Sequence, residues 1–312
     1  MDLTELLGDQ AGVISRRQVL AAGLRQHDIE RMLRRREWAR VHEGVYVTHT
    51  GDTTWHQRAW AAVLFSWPAA LSHRSALSAA GASGNSPQDD CLIDVAVDRG
   101  RHRVAPAGVR LHRMSDFHAR VQWNLGPPRI RYEHAVLDLA AEARSDSAAV
   151  AVLSDACGAR RTTTARLSAA LADRPRLPRR AWLADVLADV AAGTCSVLEH
   201  GYLTLVERPH GLPEGRRQAS HRHGDKRVYQ DVEYVDLGTY VEFDGRLFHS
   251  SAAARDLDMG RDLESAASDG SETLRISYGM VFDRPCTTAA SVGAVLQRHG
   301  WTGSPTTCPR CA

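Results

Sequence analysis

The fold is decided by two short stretches, Tyr229-Gln230-Asp231-Val232-Glu233-Tyr234 and Tyr240-Val241-Glu242-Phe243-Asp244-Gly245. Both alternate polar with apolar residues, which is the pattern of a strand with one face in a core. Because residues two apart on a strand share a face, Glu242 and Asp244 are expected to point together, away from their apolar neighbours. Two adjacent carboxylates on an apolar strand are costly without a cation.

The surrounding sequence predicts helix, three strands, helix, strand and helix between residues 194 and 300. Ser196 is the expected N-cap of the first helix, which carries Glu199, and Gly245 ends the third strand. The predicted strands are 217–221, 226–234, 239–244 and 274–277, and the later helices run from Ser250 or Ser251 to about Ala267 and from Thr288 to His299. This αβββαβ order is that of the restriction-endonuclease-like core with its PD-(D/E)xK motif.

A core of this kind hydrolyses phosphodiesters when carboxylates converge on a divalent cation, which polarises the phosphate and lowers the pKa of an attacking water. Asp231, Glu242 and Asp244 are the predicted metal ligands, and their hard oxygen atoms favour Mg²⁺ or Mn²⁺ over zinc. Glu199 is expected to be a further ligand or to orient a metal-bound water. His249 is expected to act as a general acid or to donate a hydrogen bond to a phosphate oxygen.

Four segments carry a family resemblance: Ser196-Val197-Leu198-Glu199, Asp231-Val232-Glu233-Tyr234, Val241 to His249, and Arg255-Asp256 to Arg261-Asp262. Together they are similar to the domain of unknown function related to very-short-patch repair endonucleases. The resemblance covers about the last third of the chain. It implies an acidic site at Glu199, Asp231, Glu242 and Asp244, followed by His249.

The sequence departs from the wider superfamily at the position of the catalytic lysine, which is occupied by Asp244. The single lysine of the chain, Lys226, lies upstream in the second predicted strand and is expected to be a surface residue, with a migrated substitute for the catalytic lysine as the alternative. Arg255 and Arg261 are expected to stabilise charge on the scissile phosphate. These features disfavour a lysine-dependent mechanism and leave a mechanism based on metal and carboxylates. They also leave open a nuclease fold retained only for binding or assembly.

The first fifty residues are typical of a winged helix-turn-helix. A first helix carries Leu3, Leu6 and Leu7, and Ser15-Arg16-Arg17-Gln18 is a capping box for a second helix that ends at Gly23. A third helix is predicted over His27 to Arg36, followed by strands at 38–40 and 45–47.

Positive charge is concentrated in this segment. Residues 16–40 hold eight arginines against three acids, a net charge of +5, whereas the whole chain carries +2. Arg25, Arg31, Arg34 and Arg35 are therefore the predicted contacts to double-stranded DNA, with a solvated helix face as the alternative. The segment resembles the N-terminal domain of AbiEi-type antitoxins through residues 12–16, 22–24 and 40–46, which implies a DNA-contacting winged helix.

The remaining regions are less informative. Residues 51–178 read as an α/β middle region, with helices at 54–67, 74–80, 132–142 and 146–156 and strands at 92–97 and 109–113. Residues 179–193 are a linker or a helical connection, and 301–312 are a tail. Cys308-Pro309-Arg310-Cys311 has the spacing of a zinc knuckle, but without a second CxxC only His299 stands as a third ligand, so a flexible tail is preferred.

The sequence therefore predicts a multidomain α+β protein in the cytoplasm, with no segment long enough to cross a membrane. The favoured function is DNA binding combined with Mg²⁺- or Mn²⁺-dependent endonuclease activity, in phage defence or DNA repair. The first alternative is a non-enzymatic AbiEi-type antitoxin or transcriptional repressor with a degenerate nuclease fold, whose partner is a cognate toxin. A second is an assembly protein whose basic N-terminus only aids solubility.

Overall fold

The computed structural model describes residues 2–81, 92–192, 196–223, 226–244, 256, 259, 273–309 and 311. This part of the chain contains many helices and three sheets, so the protein is α+β. Its internal contacts separate it into two compact units, Met1–Leu139 and Ala140–Ala312. In the described residues, no helix is both long and apolar enough to span a bilayer.

The first unit begins with three helices around a small sheet. The elements are α1 (Leu3–Asp9), β1 (Val13–Ser15), α2 (Arg16–Ala21), α3 (Gln26–Arg34), β2 (Ala39–His42) and β3 (Val45–Val47). The strands are antiparallel in the order β1-β3-β2. The sequence predicted every one of these elements except β1, whose three residues are all buried and therefore show no alternation.

The predicted capping box at the start of α2 is confirmed. The Ser15 hydroxyl accepts a hydrogen bond from the Gln18 backbone N–H at 3.3 Å, and the Gln18 side chain accepts one from the Ser15 N–H at 3.0 Å. Ile29 of α3 packs with Ile14 and Trp38 in the core of this region. The opposite face of α3 is left to solvent.

A second sheet completes the first unit. Its elements are α4 (Trp55–Ser66), β4 (Ala70–Leu71), α5 (His73–Ala79), β5 (Ile93–Asp98), β6 (Val109–Met114), α6 (Phe117–Arg120), β7 (Val121–Gln122) and β8 (Arg129–Ile130). The strand order is β6-β5-β4-β8-β7, with β5 and β6 parallel. The longer elements match the predicted ones, whereas the two-residue strands are too short to leave a periodic signal.

Helices lead into the second unit. They are α7 (Tyr132–Ala141), α8 (Asp146–Gly158), α9 (Thr164–Ala172) and α10 (Arg180–Ala192). The predicted helical pair corresponds to α7 and α8, and α10 occupies the segment expected to be a linker or a helical connection. The sequence did not predict α9.

The second unit is built on a four-stranded mixed sheet. α11 (Ser196–Gly201) continues as a π-helical turn (Tyr202–Glu207) and a 3-10 turn (Arg208–His210), followed by β9 (Arg216–His223), β10 (Lys226–Tyr234), β11 (Thr239–Phe243), β12 (Thr273–Ile276), α12 (Tyr278–Phe282) and α13 (Pro285–Arg298). The strand order is β12-β11-β10-β9, with β9, β10 and β11 antiparallel and β12 parallel to β11. The helix predicted from Ser250 or Ser251 to Ala267 lies almost wholly outside the described residues, as do Gly245, His249, Arg255 and Arg261.

The segment that follows α13 is packed against the second unit, which corrects the expectation of a flexible tail. A Cβ atom added to Gly293 would lie 2.3 Å from Cγ of Pro305, so the chain passes directly over this helix. The Thr306 N–H donates to the His210 carbonyl at 2.8 Å, and the Gln297 side-chain amide donates to the Gly303 carbonyl at 2.8 Å. Packing and hydrogen bonds therefore hold the segment in place.

Candidate active site and a separate ligand cluster

The third strand of the second unit, β11, has the predicted alternation. Thr239, Val241 and Phe243 are buried, whereas Tyr240 and Glu242 are partly exposed. The register pairs Val232 of β10 with Val241, so Asp231 reaches the end of β11 where Glu242 lies. The register thus brings the Asp231 and Glu242 positions side by side on the two inner strands of the sheet.

Asp231 is held against the backbone of β11. The Phe243 N–H donates to Oδ2 of Asp231 at 2.6 Å. Burial raises the pKa of the Asp231 carboxyl, and this hydrogen bond lowers it by a smaller amount. Its negative charge is therefore poorly solvated, which is the condition under which a bound cation stabilises a carboxylate most.

Glu199 lies close enough to Asp231 for the two charges to interact. Burial raises the pKa of Glu199, the guanidinium of Arg217 lowers it, and the charge of Asp231 raises it further. At the start of the same helix, the Val197 N–H donates to Oδ2 of Asp189 at 2.6 Å. The structure therefore brings together two of the predicted site residues and one arginine that the sequence analysis did not single out.

The other two predicted carboxylates lie at the end of β11 and directly after it. Oε2 of Glu242 lies 3.8 Å from Nε of Arg275 in β12, and 38% of the Glu242 side chain is exposed. The Asp244 N–H donates to the Ile276 carbonyl at 3.1 Å, which extends the pairing of β11 with β12. Among the residues that the structure describes, no three of these carboxylates have oxygen atoms within 4.8 Å of one another.

The donor set nevertheless fits Mg²⁺ or Mn²⁺. Mg²⁺ retains several waters and is commonly held by one or two carboxylates together with substrate phosphates. Asp231 and Glu199 offer carboxylate oxygens of this hard type, and burial raises the pKa of both groups. Glu242 and Asp244 lie on the neighbouring strand. The fit therefore rests on the chemistry of two interacting carboxylates.

A buried polar network lies next to Glu199. Glu207, which is 2% exposed, accepts a hydrogen bond from Nη2 of Arg217 at 2.8 Å through Oε1 and one from the Tyr234 hydroxyl at 3.2 Å through Oε2. The Tyr202 and Tyr234 hydroxyls are 3.0 Å apart. Nη1 of Arg217 is buried and makes no hydrogen bond within the described residues. Nothing in the sequence alone marks Arg217, because its importance depends on partners in other elements.

The predicted DNA-contacting arginines lie at both ends of α3. Arg25 and Arg34 are exposed. Nη2 of Arg31 lies 3.1 Å from Oδ1 of Asp28, and Nη1 of Arg35 lies 3.8 Å from Oε1 of Glu37. Within the described residues, positive charge is therefore most available at Arg34, because the charge of Arg25 also interacts with Asp28.

A separate cluster of sulfur and nitrogen atoms lies elsewhere in the second unit. The potential ligand atoms of His210, Cys286, Cys308 and Cys311 all lie within 4.8 Å of one another. His299, which the sequence analysis considered as a ligand, instead places Nδ1 2.9 Å from the Thr239 hydroxyl and from the Leu237 carbonyl. The two additional members are distant in sequence from the CxxC pair, so spacing alone did not reveal them.

Comparisons with known proteins do not assign a function to this chain. No protein-family model matches the chain, and no curated protein matches it. The crystal structure of the RV2827C protein from Mycobacterium tuberculosis is similar at 17% sequence identity, covering 63% of this chain and 78% of that chain with a TM-score of 0.41. Similarity of this degree assigns no activity.

Proposed function

We propose that the protein binds double-stranded DNA through its first unit and hydrolyses phosphodiesters at the carboxylate site of its second unit. The observation that carries the proposal is the strand register that places Asp231 of β10 beside Glu242 of β11, with the Phe243 N–H donating to Asp231. Glu199 of α11 interacts electrostatically with Asp231, and burial raises the pKa of both carboxyls. Helix, three strands and a further parallel strand in this order support a restriction-endonuclease-like core.

Each residue of the proposed site has a separate role. A divalent cation, when bound, supplies Lewis acidity toward the phosphate and lowers the pKa of a coordinated water. Asp231 and Glu199 would hold it, and Glu242 and Asp244, from the end of the adjoining strand, would orient an attacking water. Arg217 supplies fixed positive charge, and the buried ion pair with Glu207 keeps its guanidinium in place.

Binding to duplex DNA is assigned to the first fifty residues. The order α1-β1-α2-α3-β2-β3 with a three-stranded antiparallel sheet is that of a winged helix-turn-helix, whose recognition helix enters the major groove. In this arrangement α3 is the recognition helix, and Arg25 and Arg34 contact phosphates at its two ends.

The test is cleavage of supercoiled plasmid and linear duplex with Mg²⁺, with Mn²⁺ and without added divalent cation. We expect metal-dependent nicking by the wild-type protein and its loss in Asp231→Asn and Glu242→Ala. Asp236→Asn is the matched control, because Asp236 is an exposed acid in the turn between β10 and β11. Equal cleavage by wild type and by both site variants would exclude this site.

A second candidate function is favoured by a specific observation: the described carboxylates do not form a three-ligand cluster, whereas exposed arginines remain on α3. The protein would then be a repressor similar to AbiEi-type antitoxins, with a cognate toxin as partner. A gel shift without cleavage, lost in Arg25→Ala/Arg34→Ala and retained in Asp231→Asn, would establish it.

A further inference from the structure

We propose that His210, Cys286, Cys308 and Cys311 form a structural zinc site that fastens the segment after α13 to the core of the second unit. The proposal does not depend on the nuclease function. Three thiols and one imidazole are the Cys₃His donor set of structural zinc sites.

The spacing of the donor atoms agrees with a tetrahedral Zn²⁺ site. Zn–S bonds of about 2.3 Å and Zn–N bonds of about 2.0–2.1 Å place neighbouring sulfurs about 3.8 Å apart and sulfur and nitrogen about 3.6 Å apart. Sγ of Cys308 lies 3.6 Å from Sγ of Cys286 and 3.7 Å from Sγ of Cys311. Nε2 of His210 lies 3.6 Å from Sγ of Cys311.

The histidine is oriented as a metal ligand. His210 is 2% exposed, and its Nδ1–H donates to the Val206 carbonyl at 2.8 Å. This Nδ1–H bond is the outer hydrogen bond that zinc-bound histidines usually make. Because the proton is on Nδ1, the lone pair of Nε2 is directed at the cysteines. Within the described residues, the sulfur of Cys311 contacts this buried nitrogen.

The backbone around the cysteines also suits thiolates. The Cys308 N–H points to Sγ of Cys311 at 3.4 Å, and the Cys311 N–H donates to the Cys308 carbonyl at 2.9 Å, which closes the CxxC turn. Cys286 lies in the first turn of α13, where the helix dipole favours negative charge. Zinc binding replaces the three thiol protons, which are released to solvent.

The site joins three distant parts of one unit. His210 ends the helical run that begins with α11, Cys286 begins α13, and the CxxC pair follows the segment packed over Gly293. Four protein ligands leave no open position, so the role is structural. Because Glu199 lies on the same helical run as His210, the zinc also fixes one end of the element that carries this carboxylate.

The test begins with metal content of the full chain, purified without chelator, measured by inductively coupled plasma mass spectrometry. We expect about one zinc per chain. We expect its loss in Cys286→Ser and in His210→Ala and its retention in His210→Cys, which restores a fourth ligand. Cys157→Ala is the matched control, because Cys157 is a free half-buried cysteine in α8.

If the variants fail to fold, the site can still be tested in the wild-type protein by replacing zinc with cobalt. One equivalent of Co²⁺ is expected to give thiolate charge-transfer absorption and the d–d bands of a tetrahedral site. Absence of both stoichiometric zinc and this spectrum would overturn the proposal. A disulfide among Cys286, Cys308 and Cys311, detected as missing free thiols in the unfolded chain, would also overturn it, as would stoichiometric iron.

Discussion

Asp231 is a single residue whose partial burial at the candidate site lowers the stability of the folded protein. Its carboxylate is partly buried, and the Phe243 N–H offsets only part of the cost of desolvation. A partly buried charge of this kind destabilises the folded state, and under the proposed function a bound cation would offset that cost.

Replacing this charge is expected to stabilise the protein at neutral pH. The pKa of Asp231 is raised in the folded state, so the folded protein binds more protons, and stability falls as pH rises from the unfolded toward the folded pKa. Asp231→Asn keeps an acceptor for the Phe243 N–H, and we expect it to raise the free energy of unfolding at pH 7 by about 0.5–1 kcal/mol. Thermal unfolding without added Mg²⁺, repeated near pH 4, measures this.

The same series separates metal binding from simple burial. The difference between wild type and Asp231→Asn should vanish toward acid pH, where both side chains are neutral. At neutral pH, by contrast, millimolar Mg²⁺ should raise the melting temperature of the wild type but not that of Asp231→Asn. An asparagine variant that is less stable at neutral pH would show that the charge is needed by the fold.

Within a single element, helix α3, the arginines differ in how available their charge is to DNA. Arg31 is partly neutralised by Asp28, whereas the structure leaves Arg34 exposed at the helix end. Each phosphate contact that is lost lowers the slope of log K against log salt by about 0.9 for duplex DNA.

We therefore expect Arg34→Ala to reduce the salt slope of DNA binding by about one unit and Arg31→Ala to reduce it less. Fluorescence anisotropy with a labelled duplex over a range of salt concentrations measures both. Arg144→Ala, which removes an exposed arginine from the other unit, is the control. Equal slopes for Arg34→Ala and wild type would remove α3 from the interface.

The sequence predicted the longer helices and strands of this fold better than it predicted their tertiary contacts. The helix expected over 54–67 is Trp55–Ser66, and its Thr54 cap, like that of α2, follows from local hydrogen bonding within four residues. The two-residue strands and the buried Glu207–Arg217 pair depend on tertiary contacts, so no local pattern predicted them. Two of the four sulfur and nitrogen donors, His210 and Cys286, were missed for the same reason, because both are far from the Cys308–Cys311 pair in the chain.

For the whole molecule, the division into two compact units has a thermodynamic consequence. Each unit has its own buried residues, such as Ile29 in the first and Tyr202 in the second. A chain of this kind is not expected to unfold as one cooperative system, because two-state behaviour belongs to single domains.

Calorimetry of the intact chain is therefore expected to resolve two transitions that can be moved separately. Ile29→Val removes one methylene-sized group from the first core and costs about 1 kcal/mol, which lowers one transition by a few degrees. Chelation, or Cys286→Ser, removes the proposed zinc and should lower the other transition alone. If either change moved both transitions equally, the units would unfold together, and the zinc would stabilise the whole chain rather than the unit that carries the carboxylates.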